Sequence, residues 1–274
     1  MLTFVFCSFK GGTAKTSSAL HIGACLAKYH KKRVLLVDFD PQANLSRGLG
    51  IDPDGTDTIV PVLQDKRLAS EVIQASPVPG LDIISANTWL DGVEATAPLV
   101  GDLFAHLKLR KKLAGLPYDY CFIDTPPSLG WLTQSAFYAS NHSIICAMPE
   151  PYSILAFNRL RDYHHSLAAN DYISLSCKGV ILTFWDERGA TNEMFVEAID
   201  KSFPGLIFQN KVRRDISVNT AIMHGQPVIN IKEKSRASCD YQNLTQEFLD
   251  RVEPKDVDAK SKLQKIMTPS VGRK

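Results

Sequence analysis

The run Phe9-Lys10-Gly11-Gly12-Thr13-Ala14-Lys15-Thr16-Ser17 lies between an apolar, aromatic-rich stretch, Leu2–Cys7, and a segment where Ala19, Ile22, Gly23, Leu26 and Ala27 recur at helical spacing. The first pattern predicts a buried strand, the second the inner face of a helix reaching Tyr29. Glycines between them let backbone N–H groups turn inward and approach phosphate oxygens closely. The following helix adds its unpaired N–H groups and the positive end of its dipole. In that setting Lys15 is placed for the β- and γ-phosphates and the Thr16 hydroxyl for a Mg2+ shell. Strand, glycine loop, Lys-Thr and helix in this order predict a phosphate loop, and with it an α/β fold.

The rest of the chain continues the alternation. Arg33–Asp38, Leu81–Ser85, Tyr118–Ile123, His142–Ala147 and Lys178–Thr183 are apolar runs without polar alternation, as parallel strands covered on both faces require. Between and after them, 99–113, 132–139, 153–167, 192–201 and 235–251 have helical patterning, and Leu206–Phe208 predicts a short further strand. The expected architecture is a three-layer α/β P-loop NTPase fold, a mostly parallel twisted sheet flanked by helices. Its 274 residues suffice for one large core, and no internal repeat interrupts the pattern. One domain over residues 1–250 followed by a flexible basic tail, 251–274, is the expected organisation.

Composition narrows the class. Apolar residues make up 45% and charged residues 22%, which excludes a mostly disordered chain. No apolar run is long enough for a transmembrane helix, and the N-terminus lacks the features of a signal peptide, so a cytoplasmic location is expected. None of the six cysteines forms a C-x-x-C pair, and buried free thiols are expected. Net charge is +2; the tail carries seven basic against three acidic residues, which leaves the body at −2. Nucleic-acid binding by such a body must use local patches, not a global field.

Lys10-Gly11-Gly12-Thr13-Ala14-Lys15-Thr16-Ser17 resembles the deviant Walker A loop of the ParA/Soj and MinD partition ATPases. Val37–Asn44 (VDFDPQAN) is similar to the segment after that family's second strand, and Cys121–Pro127 (CFIDTPP) to its Walker B segment. With Pro149–Tyr152 and His224–Pro227, the likeness spans about residues 2–250. The resemblance implies ATP and Mg2+ as ligands. It assigns Lys10, Gly11, Gly12, Thr13, Ala14, Lys15, Thr16 and Ser17 to the nucleotide, with Arg214 and Asp215 near the base. Thr16, Asp40 and Asp124 would hold the metal, and Lys10, Lys15 and Asp40 would carry the chemistry, Lys10 by reaching the phosphates of a second subunit's nucleotide. Both Asp40 and Asp124 lie at the C-terminal ends of buried strands, where open parallel sheets bind ligands. Asp38 is similarly placed, and fixing loop geometry is its alternative role.

Three departures from the family pattern bear on function. Ala14 stands where a glycine is usual, which costs roughly 1 kcal/mol or more if its φ is positive. Arg213-Arg214-Asp215 replaces the usual base-contacting Pro-Arg-Asn, with only Arg214 in common. Ser217 replaces an arginine linked to DNA contact, although Arg188 matches another such position. Arg188, Lys211, Arg213 and Arg214 are the candidate DNA contacts, reading phosphates without sequence. The patches 108–112 and 232–236 are further basic candidates, and Trp185 is expected to be buried. The chain starts at its first strand, so an operator-reading N-terminal extension is not expected.

The resemblance therefore implies a slow ATPase that forms an ATP-dependent homodimer, binds non-specific DNA, associates with the nucleoid and is stimulated by a ParB-type partner in plasmid or chromosome partition. A MinD-like membrane switch is the alternative, but 259–267 offers only Leu263, Ile266 and Met267 as an anchor, so membrane binding is not expected. A nucleotide-binding scaffold with little hydrolysis is the other alternative, motivated by Ala14.

Overall fold

A computed structural model of the chain describes residues 1–8, 10–96, 105–150, 153–168, 174–190 and 192–253. In chain order the first half comprises β1 (Leu2–Cys7), α1 (Lys15–His30), β2 (Val34–Asp38), α2 (Asn44–Gly48), α3 (Ile59–Leu63), β3 (Gln74–Ala75), β4 (Leu81–Ile84), α4 (Leu90–Thr96), α5 (Lys108–Leu113) and β5 (Tyr120–Asp124). There follow α6 (Trp131–Ala139), β6 (His142–Ala147), α7 (Ser153–Ala168), β7 (Ser176–Trp185), α8 (Asn192–Ser202), β8 (Val212–Arg213), α9 (Ile216–Met223), α10 (Val228–Ile231) and α11 (Arg236–Val252).

The strands form one eight-stranded sheet in the order β3-β4-β2-β5-β1-β6-β7-β8. Every pairing is parallel except that of the two-residue edge strand β3 with β4. Strand alternation sends side chains to two cores. Phe4, Phe6, Val34 and Leu36 pack under α1 and α11, with Phe4, Phe122 and Phe248 in mutual ring contact. Val5, Cys7, Leu35 and Val37 pack on the opposite face against α3, α5, α6 and α8. Helix α1 lies so close to the sheet that a Cβ on Gly23 would stand 3.2 Å from a methyl of Leu36. The expected three-layer α/β fold is thus the fold observed.

Several local expectations are revised. Leu206–Phe208 is not a ladder strand: it touches β7 through a single bridge between Val180 and Ile207. Two backbone bonds with Val180 (2.8 and 2.9 Å) are supplemented by the Arg251 guanidinium, which donates to the carbonyls of Leu206 (2.9 Å) and Ile207 (2.7 Å) and lies over the Phe208 ring. Helix α11 runs on past residue 250, and Glu253 accepts a hydrogen bond from Lys32 at 2.8 Å and another from Tyr120. Residues 254–274, with most of the basic tail and the 259–267 segment, lie outside the described residues, as does 99–104 of the expected 99–113 helix. Cys7, Cys25, Cys121 and Cys146 are buried and free; Cys177 is half-buried and Cys239 exposed. No helix among the described residues is long and apolar enough to cross a membrane.

Candidate functional site

Strand register brings the site together. In the central sheet Asp38, the last residue of β2, is the register partner of Asp124, the last of β5, and Phe6 of β1 is aligned with the same aspartate. The C-terminal ends of three adjacent strands therefore open on one edge, with residues 10–14 of the loop that follows β1 beside them. Within that loop Gly12 has φ +75 and Ala14 has φ +55. Ala14 is the N-cap of α1 and its carbonyl accepts the Ser18 N–H at 2.9 Å. The departure noted in the sequence thus falls on a left-handed residue, where an alanine costs about 1–2 kcal/mol relative to the right-handed form. The Thr183 hydroxyl of β7 lies 3.1 Å from the Thr13 carbonyl and 3.0 Å from that of Ala147, which ties the loop to β6 and β7. No acidic residue occupies the first turn of α1, so its positive end is uncompensated.

The acidic corner is built from four side chains. Thr16 Oγ1 donates to Asp124 Oδ2 at 2.6 Å, while Asp124 Oδ1 is buried with no hydrogen-bond partner among the described residues. Burial, and then the Asp38 charge, push the Asp124 carboxyl up to about 7 against the opposing pull of Lys15 and Thr16. Burial pushes Asp38 up to about 6, although it accepts the Ser46 N–H (2.9 Å), the Ser46 hydroxyl (2.7 Å) and the Asp40 N–H (3.2 Å). All its oxygens are thereby committed to the loop after β2. Asp40 is buried too, accepts the Gln42 N–H at 2.9 Å, and stands two residues beyond that committed carboxylate. An orphaned oxygen, a hydroxyl and neighbouring carboxylates form a hard-oxygen donor set that fits a Mg2+ ion. Lys15 is buried beside this corner.

Lys10 points elsewhere: its ammonium is paired with the Glu150 carboxylate, both about one-third exposed. Gly11 and Gly12 are exposed, and a Cβ built on either meets nothing within 4 Å among the described residues.

Beside the loop is a cavity of about 390 Å³ whose walls include Ala14, Ser17, Phe184, Arg214, Asp215 and Tyr241. The size suits a nucleoside. Arg214 stacks over the Phe184 ring at 5.2 Å. Asp215 is the N-cap of α9, accepting from Ser217 N (2.9 Å) and Oγ (2.7 Å), and its other oxygen takes Ala237 N at 3.1 Å. Burial raises its pKa, but these bonds prevail and hold it below the ordinary carboxylate range. Both oxygens of Asp215 thus serve the local fold, although the residue lines the cavity.

The candidate DNA contacts divide in the same way. Arg188, Arg213 and Arg214 line a second cavity, of about 570 Å³, together with Arg236. Arg213 is forked onto buried Asp240 (2.6 and 3.0 Å), and Lys211 sits 4.0 Å over Trp185, which is buried as expected. In the 108–112 patch, Lys108 and Lys112 both pair with Asp65. Glu150 falls in the Pro149–Tyr152 stretch but was given no role from the sequence, and Thr183 and Phe184 join the loop through strand packing, which leaves no local signal.

Comparison with known proteins agrees with this geometry. Residues 1–175 match a family described as an AAA domain. A ParA family protein of Chlamydia muridarum is 48% identical over 251 residues, covering 91% of this chain and 98% of that one. The sporulation initiation inhibitor protein Soj of Bacillus subtilis is 34% identical, with 87% of this chain and 94% of Soj covered. The fold is shared with McdA of Cyanothece, solved as an ATP complex: TM-score 0.80, 21% identity, covering 92% of this chain and 96% of that one. On the sequence relationship and the fold together, this chain belongs to the ParA/Soj family of P-loop proteins.

Proposed function

We propose that the protein is a ParA-type ATPase that acts in plasmid or chromosome partition. ATP is its substrate, held with Mg2+ at the edge formed by β1, β2 and β5. Backbone N–H groups of Gly11–Lys15 and the N-terminus of α1 bind and orient the phosphates, Lys15 neutralises them, and the cavity beside Ala14 and Arg214 takes the base. Thr16 and Asp124 would hold the metal, with Asp40 close to its shell. When bound, Mg2+ neutralises charge on the phosphate oxygens and assists their departure. Asp40 orients the attacking water towards the γ-phosphate. Asp38 does not take part; it fixes the loop that carries Asp40.

Two subunits close face to face over two nucleotides, and Lys10 leaves Glu150 to contact the phosphates opposite. The dimer binds DNA backbone without sequence preference, and turnover is slow until a ParB-type partner stimulates it. The protein is cytoplasmic and associates with the nucleoid through this binding. The observation that carries the reading is the Thr16–Asp124 pair, in which buried Asp124 keeps one oxygen without a partner among the described residues, next to a glycine loop and the positive end of α1.

Calorimetric titration of ATP with Mg2+ tests it. Lys15→Ala is expected to abolish heat of binding. Gly11→Val is expected to fold normally, since a Cβ there meets nothing within 4 Å among the described residues, and to lose ATP-dependent dimerisation. ATP binding undiminished in Lys15→Ala, or unimpaired dimerisation in Gly11→Val, rejects the scheme.

A further inference from the structure

In β7 the apolar run of residues 180–185 is broken once, by Thr183. Ile181 packs into the core under α1 and α11, and strand alternation sets Thr183 on the same face. The residue is wholly buried, at a place where valine would have the same shape and no polar atom. A hydroxyl there needs a partner, and two carbonyls lie within reach: Thr13 of the loop at 3.1 Å and Ala147 of β6 at 3.0 Å. One proton serves both, as a three-centre bond.

The Thr13 carbonyl and the Ala14 N–H belong to one planar peptide and point in opposite directions. With the carbonyl drawn to β7, the N–H is turned away from that strand, and it has no partner among the described residues. The same peptide leads into the left-handed Ala14, φ +55. Turning the peptide over would exchange its carbonyl and N–H directions and make the φ of Ala14 negative, as an alanine prefers. A strained arrangement of this kind persists only where its surroundings hold it. Among the described residues, Thr183 makes the only hydrogen bond to the Thr13 carbonyl.

We infer that Thr183 is a positioning residue for phosphate binding: its hydroxyl holds the peptide between Thr13 and Ala14 in the strained orientation that presents an N–H, and not a carbonyl, to the nucleotide. The inference rests on the reading of the glycine loop as the cradle for ATP. Thr183 acts through this one peptide and not by contact with the phosphates. Without the hydroxyl the peptide turns over, and a carbonyl oxygen replaces a donor beside the phosphate oxygens. The alanine at position 14 makes the loop depend on β7 for its shape, because a glycine there would have no strain to relieve.

Calorimetry of the full chain with ADP and Mg2+ tests this without calling on a second subunit. Thr183→Ala is expected to weaken ADP binding about tenfold or more. Thr183→Ser keeps the hydroxyl and is expected to stay within about threefold of the parent. In an Ala14→Gly background the loss caused by Thr183→Ala is expected to shrink by about threefold or more. A hydroxyl that only supported the fold would cost the same in both backgrounds. In the parent chain, isotope labelling of alanine alone makes the Ala14 amide proton visible by magnetic resonance, identified by its loss in Ala14→Gly. It is expected to move downfield when ADP binds. A resonance that bound ADP leaves in place overturns the inference whether or not the variants fold. Parent-like affinity in Thr183→Ala, a Thr183→Ser as weak as Thr183→Ala, or equal losses in the two backgrounds overturn it too, while ADP binding by the parent leaves the functional reading standing. A parent chain that binds no ADP removes the functional reading and the inference with it.

Discussion

The Lys10 ammonium is paired with Glu150 of its own chain, although Lys10 stands at the mouth of the loop that receives phosphate. The extra lysine is therefore occupied while the subunit is alone. An exposed pair of this kind contributes about 0–1 kcal/mol. Glu150→Gln removes what Lys10 must leave behind, so ATP-dependent self-association should tighten by up to about fivefold. Sedimentation velocity at several protein concentrations reads the change. Weaker association in the variant would show that Glu150 acts in the dimer instead.

Asp38 and Asp40 are two residues apart and should fail in different ways. Asp40→Ala removes one local bond, so the protein should remain folded, bind ATP and lose turnover by about 100-fold or more. Asp38→Ala orphans the buried Ser46 and Asp40 N–H groups, at a cost of about 2 kcal/mol or more in stability. Phosphate-release assays and chemical denaturation of both variants separate the two roles. The prediction is wrong if Asp40→Ala turns over normally.

Ala14 carries left-handed strain at the start of α1. Glycine would remove a penalty of about 1–2 kcal/mol and restore about 0.4–1 kcal/mol of unfolded-state entropy. Ala14→Gly should therefore stabilise the protein by about 0.5–1 kcal/mol. Ala14→Val, β-branched in the same conformation, should destabilise it. Equal denaturation midpoints for the three proteins would show that the strain is relaxed in solution.

His21 is buried in α1 against the Tyr241 ring, and neither of its ring nitrogens has a hydrogen-bond partner among the described residues. Burial lowers its pKa from 6.5 to about 3. The unfolded chain takes up a proton below pH 6.5 that the native chain refuses until about pH 3, so stability falls as pH drops through this window. At pH 5 the loss amounts to about 2 kcal/mol. The raised carboxyls of Asp38 and Asp124 act in the opposite sense: their stabilisation is full below pH 3.8 and is lost as pH rises through about 6 and 7. The difference between the wild-type chain and His21→Asn isolates the histidine. Denaturation at pH 7 and pH 5 should show the wild type losing about 2 kcal/mol relative to the variant. Parallel pH profiles would mean that the ring is solvated.

What the sequence made legible was what recurs over several residues or carries a spacing. Apolar runs marked β1, β2, β5 and β6, and the glycine loop between Leu2–Cys7 and α1 pointed to the sheet edge where Asp38 and Asp124 end their strands. The shortest elements, such as β3, β8 and α2, are too brief for a period and are held by tertiary contacts. For Asp215, motif position indicated proximity to the base; the structure sets it in the wall of the cavity beside the loop, and its capping bonds to Ser217 and Ala237 depend on how α9 meets α11. The sign of φ at Ala14 is likewise a property of the closed loop. Glu150 and Phe184 come from the ends of β6 and β7, so their approach to the loop is a consequence of strand order.

The most direct test of the account measures mass in solution. Light scattering of the full chain with Mg2+ and ATP should report a doubling that ADP does not produce. Lys10→Ala should bind ATP comparably, because Lys15 and the loop are intact, yet retain the mass of one subunit. A parent chain that stays single with ATP bound, or a Lys10→Ala variant that doubles as readily as the parent, would contradict the claim that this lysine acts across two subunits.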